Sequence, residues 1–119
     1  MNGISAYQEN TVTTQSKGQV VVMLYEGAIR FCRQAVQGIE QKDYAEKTRR
    51  IHQAIAIVDE LNAALDMEAG GEICTNLRSL YDFMSRHLNE ADLKADPHRI
   101  REVIGLLEEL KEGWRAVAE

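Results

Sequence analysis

Two adjacent glycines at positions 70 and 71 separate two long stretches of helical hydrophobic periodicity. Glycine interrupts a helix readily, because it loses more backbone freedom than any other residue when it becomes helical. One apolar-periodic stretch ends just before the pair, and another begins just after it. Residues 1–64 and 72–119 are therefore predicted to be two halves hinged at this point, each able to form a helical hairpin.

Capping residues predict where the other helices begin. Ser16 with Gln19 matches a capping box, and Asp43 offers a second N-cap. Asp96 followed by Pro97 is the strongest single helix start in the chain, because proline suits the first helical position. Together with the glycine pair, these signals predict helices at about residues 17–40, 43–65, 71–92 and 97–117.

The overall pattern predicts an all-α protein. Short connections between the predicted helices make sequential neighbours antiparallel. The single proline and the many Ala, Leu, Glu, Gln and Arg residues also favour helix. Residues 1–15 are polar and rich in threonine, which is typical of an extended or mobile arm. We therefore expect an antiparallel up-down four-helix bundle of residues 16–119 with a mobile N-terminal arm of residues 1–15.

Charge and composition argue against nucleic acid and membrane partners. The 119 residues include 14 basic and 19 acidic side chains, a net charge of −5 that gives no broad attraction to polyanions. Acidic residues surround the cluster of Lys47, Arg49 and Arg50, which is predicted to be a solvated face rather than a phosphate-binding patch. No signal-peptide pattern and no apolar run of about 20 residues is present. We expect a cytoplasmic protein without membrane insertion.

No combination of residues predicts catalysis, a cofactor or a metal site. Di-metal sites in helical bundles use Glu-x-x-His pairs, and none of His52, His87 and His98 has a glutamate three residues before it. Cys32 and Cys74 lack Cys-x-x-Cys spacing and are predicted to be free buried thiols. No serine or cysteine lies in a nucleophile motif with an obvious base. The sequence therefore predicts a protein that is not an enzyme.

Three of the predicted helices carry more apolar surface than an isolated bundle needs. One stripe of about 100° is enough for each helix, but the first helix is apolar over a wider arc, and the second and fourth each have an additional, offset stripe. A wide core or homodimer packing would explain this surplus, and so would a groove for a peptide segment of a partner. The pattern alone leaves both explanations open.

The main apolar stripes predict the core of the bundle. The main predicted core positions after the first helix are Tyr44, Ile51, Ile55, Val58, Leu61, Leu65, Ile73, Leu77, Leu80, Tyr81, Met84, Leu88, Ala91, Ile100, Val103, Ile104, Leu107, Leu110 and Trp114.

A series of short motifs, specific in their order and spacing, resembles one known family. They are Ala6-Tyr7-Gln8, residues 22–31 (VMLYEGAIRF), Lys42-Asp43-Tyr44, residues 65–73 (LDMEAGGEI), Asn76-Leu77, residues 80–84 (LYDFM), residues 103–110 (VIGLLEEL) and Trp114. With these motifs the chain resembles the flagellar secretion chaperone family FliS along nearly its whole length.

The resemblance implies a cytoplasmic export chaperone that binds the C-terminal segment of flagellin. Such a chaperone keeps flagellin from polymerising and helps to deliver it to the flagellar type III export apparatus. The implied partners are flagellin, a component of the export gate and, as a further candidate, a secondary regulatory or co-chaperone protein. In the family the N-terminal arm can cover part of the binding surface, so Tyr7 is hypothesised to be a displaceable plug. The alternative is a homodimeric helical-bundle scaffold or regulatory adaptor that uses the same apolar stripes.

Ten residues are predicted to contact the cargo, and ordinary core packing is the alternative for each. Five match motif segments of the family and five lie on the offset stripes. In chain order they are Tyr7, Val12, Leu24, Tyr25, Ile29, Ile57, Leu61, Phe83, Leu106 and Leu110.

Overall fold

Four helices account for nearly all of the chain that the structure describes. The structure is a computed structural model, and it describes the backbone of residues 2–118 and the side chains of residues 18–116. The helices are α1 (Asn2–Glu40), α2 (Tyr44–Ala63), α3 (Met67–Lys94) and α4 (Pro97–Ala118). The prediction of an all-α four-helix bundle is confirmed.

Backbone contacts arrange the helices as a ring in chain order. α1 packs against α2 and α4, and α3 packs against the same two helices. Arg33 lies 2.8 Å from Glu108, and Glu40 lies 3.8 Å from Arg101. Since residue numbers rise along α1 as they fall along α4, these two helices are antiparallel. The side-chain pairs between α2 and α3 show the same reversal. The α1–α2 seam and the α3–α4 seam therefore lie on opposite sides of the ring.

Most predicted core positions are buried, as the 3.6-residue period indicates. Two are not. Tyr44 is half exposed, because it occupies the first position of α2 at one end of the bundle. Ile73 is 70% exposed, because α3 and α4 do not close over it. The fully buried residues of α2, α3 and α4 that were predicted to be in the core are Ile51, Val58, Tyr81, Met84, Leu88, Ala91, Ile100, Val103 and Leu107.

The glycine pair interrupts the helical backbone, as its helix-breaking character predicts, but it lies four residues inside α3 rather than at its start. The chain turns between α2 and α3 before the pair. Asp66 caps α3, and its side chain accepts a hydrogen bond of 3.1 Å from the Ala69 amide. Gly71 then has φ 55° and ψ −129° inside the helix, a conformation that is essentially restricted to glycine. The cap therefore determines the start of α3, and the glycine determines its kink.

α1 begins earlier than the sequence predicted. Its backbone is helical from Asn2, so Ser16 lies within the helix rather than at its start. Once a helix is nucleated, each added residue costs only its intrinsic propensity, so threonine-rich segments can continue it. The division into an arm and a bundle, and the mobility of that arm, stay predictions.

The prediction of a single solvated basic face at the start of α2 is wrong. Lys47 is only 7% exposed. Its Nζ donates to the backbone oxygen of Asp92 at 2.6 Å and lies 3.0 Å from the Asp92 carboxylate. Thr48 donates a second hydrogen bond to that carboxylate at 2.7 Å. The last turn of α3 therefore binds Lys47, while Arg49 stays exposed.

The α1–α2 turn requires a glycine at position 38. A Cβ at this position would lie 2.9 Å from the Lys47 amide nitrogen and 3.1 Å from the Asp43 carbonyl oxygen. The Asp43 amide also donates to the Gly38 carbonyl at 2.7 Å. The end of α1 can therefore approach the start of α2 this closely only without a side chain.

Gly38→Ala should lower the free energy of unfolding by about 1–3 kcal/mol, the usual range for overpacking. The clash is with backbone atoms, so no side-chain rotation relieves it. Gly105→Ala is the matched control, because nothing lies within 4 Å of a Cβ there. The control should raise stability by about 0.5–1 kcal/mol, since alanine is the better helix former. Urea unfolding of both variants checks the prediction, and equal effects would contradict it.

The free energy of unfolding of the bundle should decrease when Asp92 becomes protonated at acidic pH. Burial alone would raise the pKa of Asp92, but hydrogen bonds from Thr48 and Lys47 and the charges of Lys47 and His52 outweigh it. The pKa therefore lies below its ordinary value of 3.8. The stabilisation is present above pH 3.8 and is lost as the pH falls through the lower, folded-state pKa.

Asp92→Asn should remove this stabilisation at neutral pH, about 1.5–3 kcal/mol for hydrogen bonds to a charged group. The difference from the wild type should shrink as the pH drops below 3.8. Unfolding curves measured at several pH values test this. A difference that stays constant down to the most acidic pH would show that Asp92 acts through packing alone.

Candidate functional site

An apolar groove lies between the first half of α3 and the last half of α4, and it is called the α3–α4 groove below. Its volume is about 360 Å³. Its lining is almost entirely carbon, with one carboxylate at the edge. The lining residues are Ile73, Leu77, Glu109, Leu110, Gly113 and Trp114.

Two glycines keep this groove open. Gly113 lies on the apolar stripe of α4, and no atom lies within 4 Å of the place where its Cβ would be. An ordinary side chain there would fill the space between the helices. The kink at Gly71 comes just before Ile73, which remains mostly exposed on the other wall. The groove therefore results from a missing side chain on α4 and a bent start of α3.

Polar contacts close the other end of the α3–α4 seam. His87 lies 2.9 Å from Glu102, and Arg99 forms an ion pair with Glu90. Hydrogen bonding to His87, together with nearby positive charges, lowers the pKa of Glu102. Phe83 stacks on the His87 ring with 4.8 Å between the ring centroids. The seam thus changes from polar to apolar along its length, and the open part is the apolar one.

A chain of hydrogen bonds connects the groove wall to the core. The indole Nε1–H of Trp114 donates to the hydroxyl of Tyr25 at 3.1 Å. That hydroxyl also shares a hydrogen bond with Tyr81. Burial raises the pKa of both tyrosines, so both remain protonated at neutral pH. Three helices therefore meet at one hydroxyl behind the groove.

The structure brings three predicted contact residues to the α3–α4 seam. Leu110 lines the groove itself. Leu106 lies one turn earlier on the same face of α4 and is partly buried. Phe83 is partly exposed, beside the polar end of the seam. These side chains extend the apolar surface of the groove along the seam.

Two other predicted residues lie at the α1–α2 seam, on the opposite side of the ring. Leu24 and Ile57 are both partly buried. A Cβ at Gly27, one turn after Leu24, would lie 3.2 Å from the Ile57 side chain. The predicted contacts are therefore divided between two seams and do not form one continuous patch.

The remaining five predicted residues are not on the described surface. Tyr25, Ile29 and Leu61 are buried in the core, because the stripes on which they lie face the centre of the ring. In this structure all three pack in the core, and Ile29 also lines a cleft between α1 and α4. Tyr7 and Val12 lie outside the residues whose side chains the structure describes. Contact of these five with a cargo stays a prediction.

Sequence reasoning identified Leu110 but missed the other five groove residues, and it assigned Ile73, Leu77 and Trp114 to the core. One signal could have revealed them. Gly113 interrupts an apolar stripe of α4, and a missing side chain within a stripe leaves a gap in the packing. The residues opposite such a gap are candidates for a groove.

A second cleft lies between α1 and α4, and polar and apolar atoms share its lining about equally. Its volume is about 450 Å³. Arg33 and Lys111 line it, and both pair with Glu108, at 2.8 Å and 3.2 Å. Two of its three cations are therefore already paired, so this cleft offers less to an apolar segment than the α3–α4 groove does.

Within the described residues, no three His, Cys, Asp or Glu side chains form a group that could bind a metal ion. None of the helices, over the same residues, has the length and apolar character that a membrane span requires. Cys32 and Cys74 are free, buried thiols, as predicted. Burial raises the pKa of Cys32 to about 12, so this thiol is not a reactive nucleophile at neutral pH.

Comparison with known proteins identifies similar chains. The family model described as "Flagellar protein FliS" matches residues 1–119. A protein of Salmonella typhimurium (strain LT2) named flagellar secretion chaperone FliS is 41% identical over 122 residues, which cover 98% of this chain and 90% of the relative. Proteins of the same name from Bacillus subtilis (strain 168) and Campylobacter jejuni are 34% and 36% identical. Those alignments cover 96% and 95% of this chain, and 84% and 88% of the relatives.

Proposed function

This chain belongs to the FliS family of flagellar secretion chaperones, and from that premise we propose that it binds the C-terminal segment of flagellin in the bacterial cytoplasm. It prevents premature polymerisation and supports delivery to the flagellar type III export apparatus. The family is one of chaperones, so the protein is not an enzyme. The α3–α4 groove is the observation that supports the proposal best.

The groove has the chemistry that recognises an amphipathic helix. In this mode of binding, apolar side chains spaced three or four residues apart enter a groove between two helices. Ile73 and Leu77 form one wall, while Leu110 and Trp114 form the other. The edge carboxylate of Glu109 favours a peptide with a basic or polar residue beside its apolar anchors.

A segment that is disordered before binding needs more contact than one groove gives. It loses conformational entropy when it becomes ordered, and only a long interface offsets that loss. Leu24 and Ile57, on the α1–α2 seam, offer apolar surface on the opposite side of the bundle. We propose that the flagellin segment wraps around the bundle and contacts both seams. Its apolar faces are then unavailable to other flagellin subunits.

Calorimetric titration with the C-terminal segment of the host's flagellin tests the proposal, together with the mass of the protein in solution. A 1:1 complex with a negative heat-capacity change is expected, because binding buries apolar surface. A stable dimer that does not bind the segment would favour the homodimeric scaffold or regulatory adaptor instead.

Ile73→Glu should weaken binding of the segment about tenfold or more while the helical content stays the same. Ile73 is exposed and lines the groove, so a charge there is tolerated in the free protein but is desolvated in the complex. Leu93→Glu is the matched control, because Leu93 lies on the same helix, is 86% exposed and is not in the groove lining. Equal affinities of the two variants would place the binding surface elsewhere.

Removal of residues 1–15 should tighten or accelerate binding of the flagellin segment, if Tyr7 acts as a displaceable plug. A segment that competes for the groove lowers the apparent affinity for the cargo. Stopped-flow association and calorimetry of the truncated and full chains measure this. Unchanged or weaker association would count against the plug.

A further inference from the structure

The hydroxyl of Tyr25 is placed to control the shape of the α3–α4 groove without lining it. Tyr25 is fully buried on α1, whereas the groove lies between α3 and α4. The connection is Trp114, whose ring lines the groove and whose Nε1–H donates to the Tyr25 hydroxyl at 3.1 Å. The hydroxyl oxygen of Tyr25 in the core thus holds the Trp114 ring in the α4 wall of the groove.

We propose that Tyr25 is a positioning residue that holds the indole of Trp114 in the groove wall, so that the groove is preformed for an apolar side chain of the cargo. A half-buried indole needs an acceptor for its N–H. With the Tyr25 hydroxyl behind it, the ring directs its N–H into the core and presents carbon to the groove. Without that acceptor, the N–H must turn towards water across the mouth of the groove.

Tyr81 completes the arrangement. Tyr25 can accept the indole hydrogen and direct its own hydrogen at the Tyr81 oxygen. Both rings are buried, so the Tyr25 hydroxyl cannot turn to solvent instead. This makes the network directional, because it runs from Trp114 to Tyr25 and then to Tyr81. Loss of Tyr81 removes one partner of Tyr25 but leaves the acceptor for the indole in place.

Preformation affects binding because an ordered wall does not lose further freedom when the ligand arrives. A ring that also samples positions across the groove mouth lowers the fraction of binding-competent molecules, and the apparent affinity falls by the same fraction. This inference deepens the proposed function, and the binding measurement that tests the inference rests on that function. Its spectroscopic measurement requires only the free protein.

Tyr25→Phe and Tyr81→Phe form a matched pair for the test. Each removes one buried hydroxyl, but only Tyr25→Phe removes the acceptor of the indole. Trp114 is the single tryptophan, so its fluorescence reports on this wall alone. In the free protein, Tyr25→Phe should shift the emission to longer wavelength and increase quenching by acrylamide, whereas Tyr81→Phe should stay close to the wild type. Equal spectra for the two variants would overturn the proposal.

Binding gives a second, separate readout. Affinity for the flagellin segment should fall about three- to tenfold in Tyr25→Phe, the range of one net hydrogen bond. In a Trp114→Phe background the same substitution should have no further effect, because its influence passes through the indole. An equal loss in both backgrounds would overturn the positioning role. A wild type that does not bind the segment would refute the proposed function, while the fluorescence result would still decide the role of Tyr25.

Hydrogen exchange in the wild type tests the proposal without any variant. The single indole N–H should exchange slowly with solvent, because its partner is a buried hydroxyl. If Tyr25→Phe does not fold, this measurement still decides the question. Exchange at the rate of an exposed indole would show that the hydrogen bond to Tyr25 does not hold the ring.

Discussion

The burial of one apolar stripe from each helix holds this molecule together, and every other feature depends on it. The stripes meet in a core that includes Ile51, Met84, Leu88, Ile100 and Leu107. Apolar burial is the largest favourable term in folding, so a helix normally covers as much apolar surface as it can. A bundle that binds apolar segments, as we propose for this one, has to leave some of that surface open. Here the bundle closes its core and leaves the α3–α4 groove beside it.

The α3–α4 seam shows how both requirements are met in one pair of helices. At one end, the contact between His87 and Glu102 and the ion pair of Arg99 with Glu90 join the helices through polar groups. At the other end, Gly113 removes a side chain and the kink at Gly71 precedes an exposed Ile73. These polar contacts hold α3 and α4 together at the end of the seam away from the groove. The open end can then receive a ligand without loss of the core.

Hydrophobic periodicity predicted most of the fold but only part of the candidate site. It identified the core positions of α2, α3 and α4 and placed Leu106 and Leu110 on one face. It failed at Lys47, whose partner Asp92 is distant in sequence and belongs to another helix. It also failed at Ile73, because a stripe residue is buried only where a neighbouring helix covers it. The glycine pair did interrupt the helix at Gly71, but the Asp66 cap starts α3 four residues earlier than the pair predicted.

The sequence by itself determined four amphipathic helices, their order and the family to which the chain belongs. The motifs and stripes that carry these conclusions are local, so they can be read without any knowledge of packing. The tertiary structure decided which stripe residues are covered, that Tyr25 reaches Trp114, and that Leu24 and Ile57 lie opposite the groove. The physical reason is that periodicity shows which residues share a face of a helix. Whether that face is covered depends on the distance and angle between helices, and contacts between residues far apart in the chain set both.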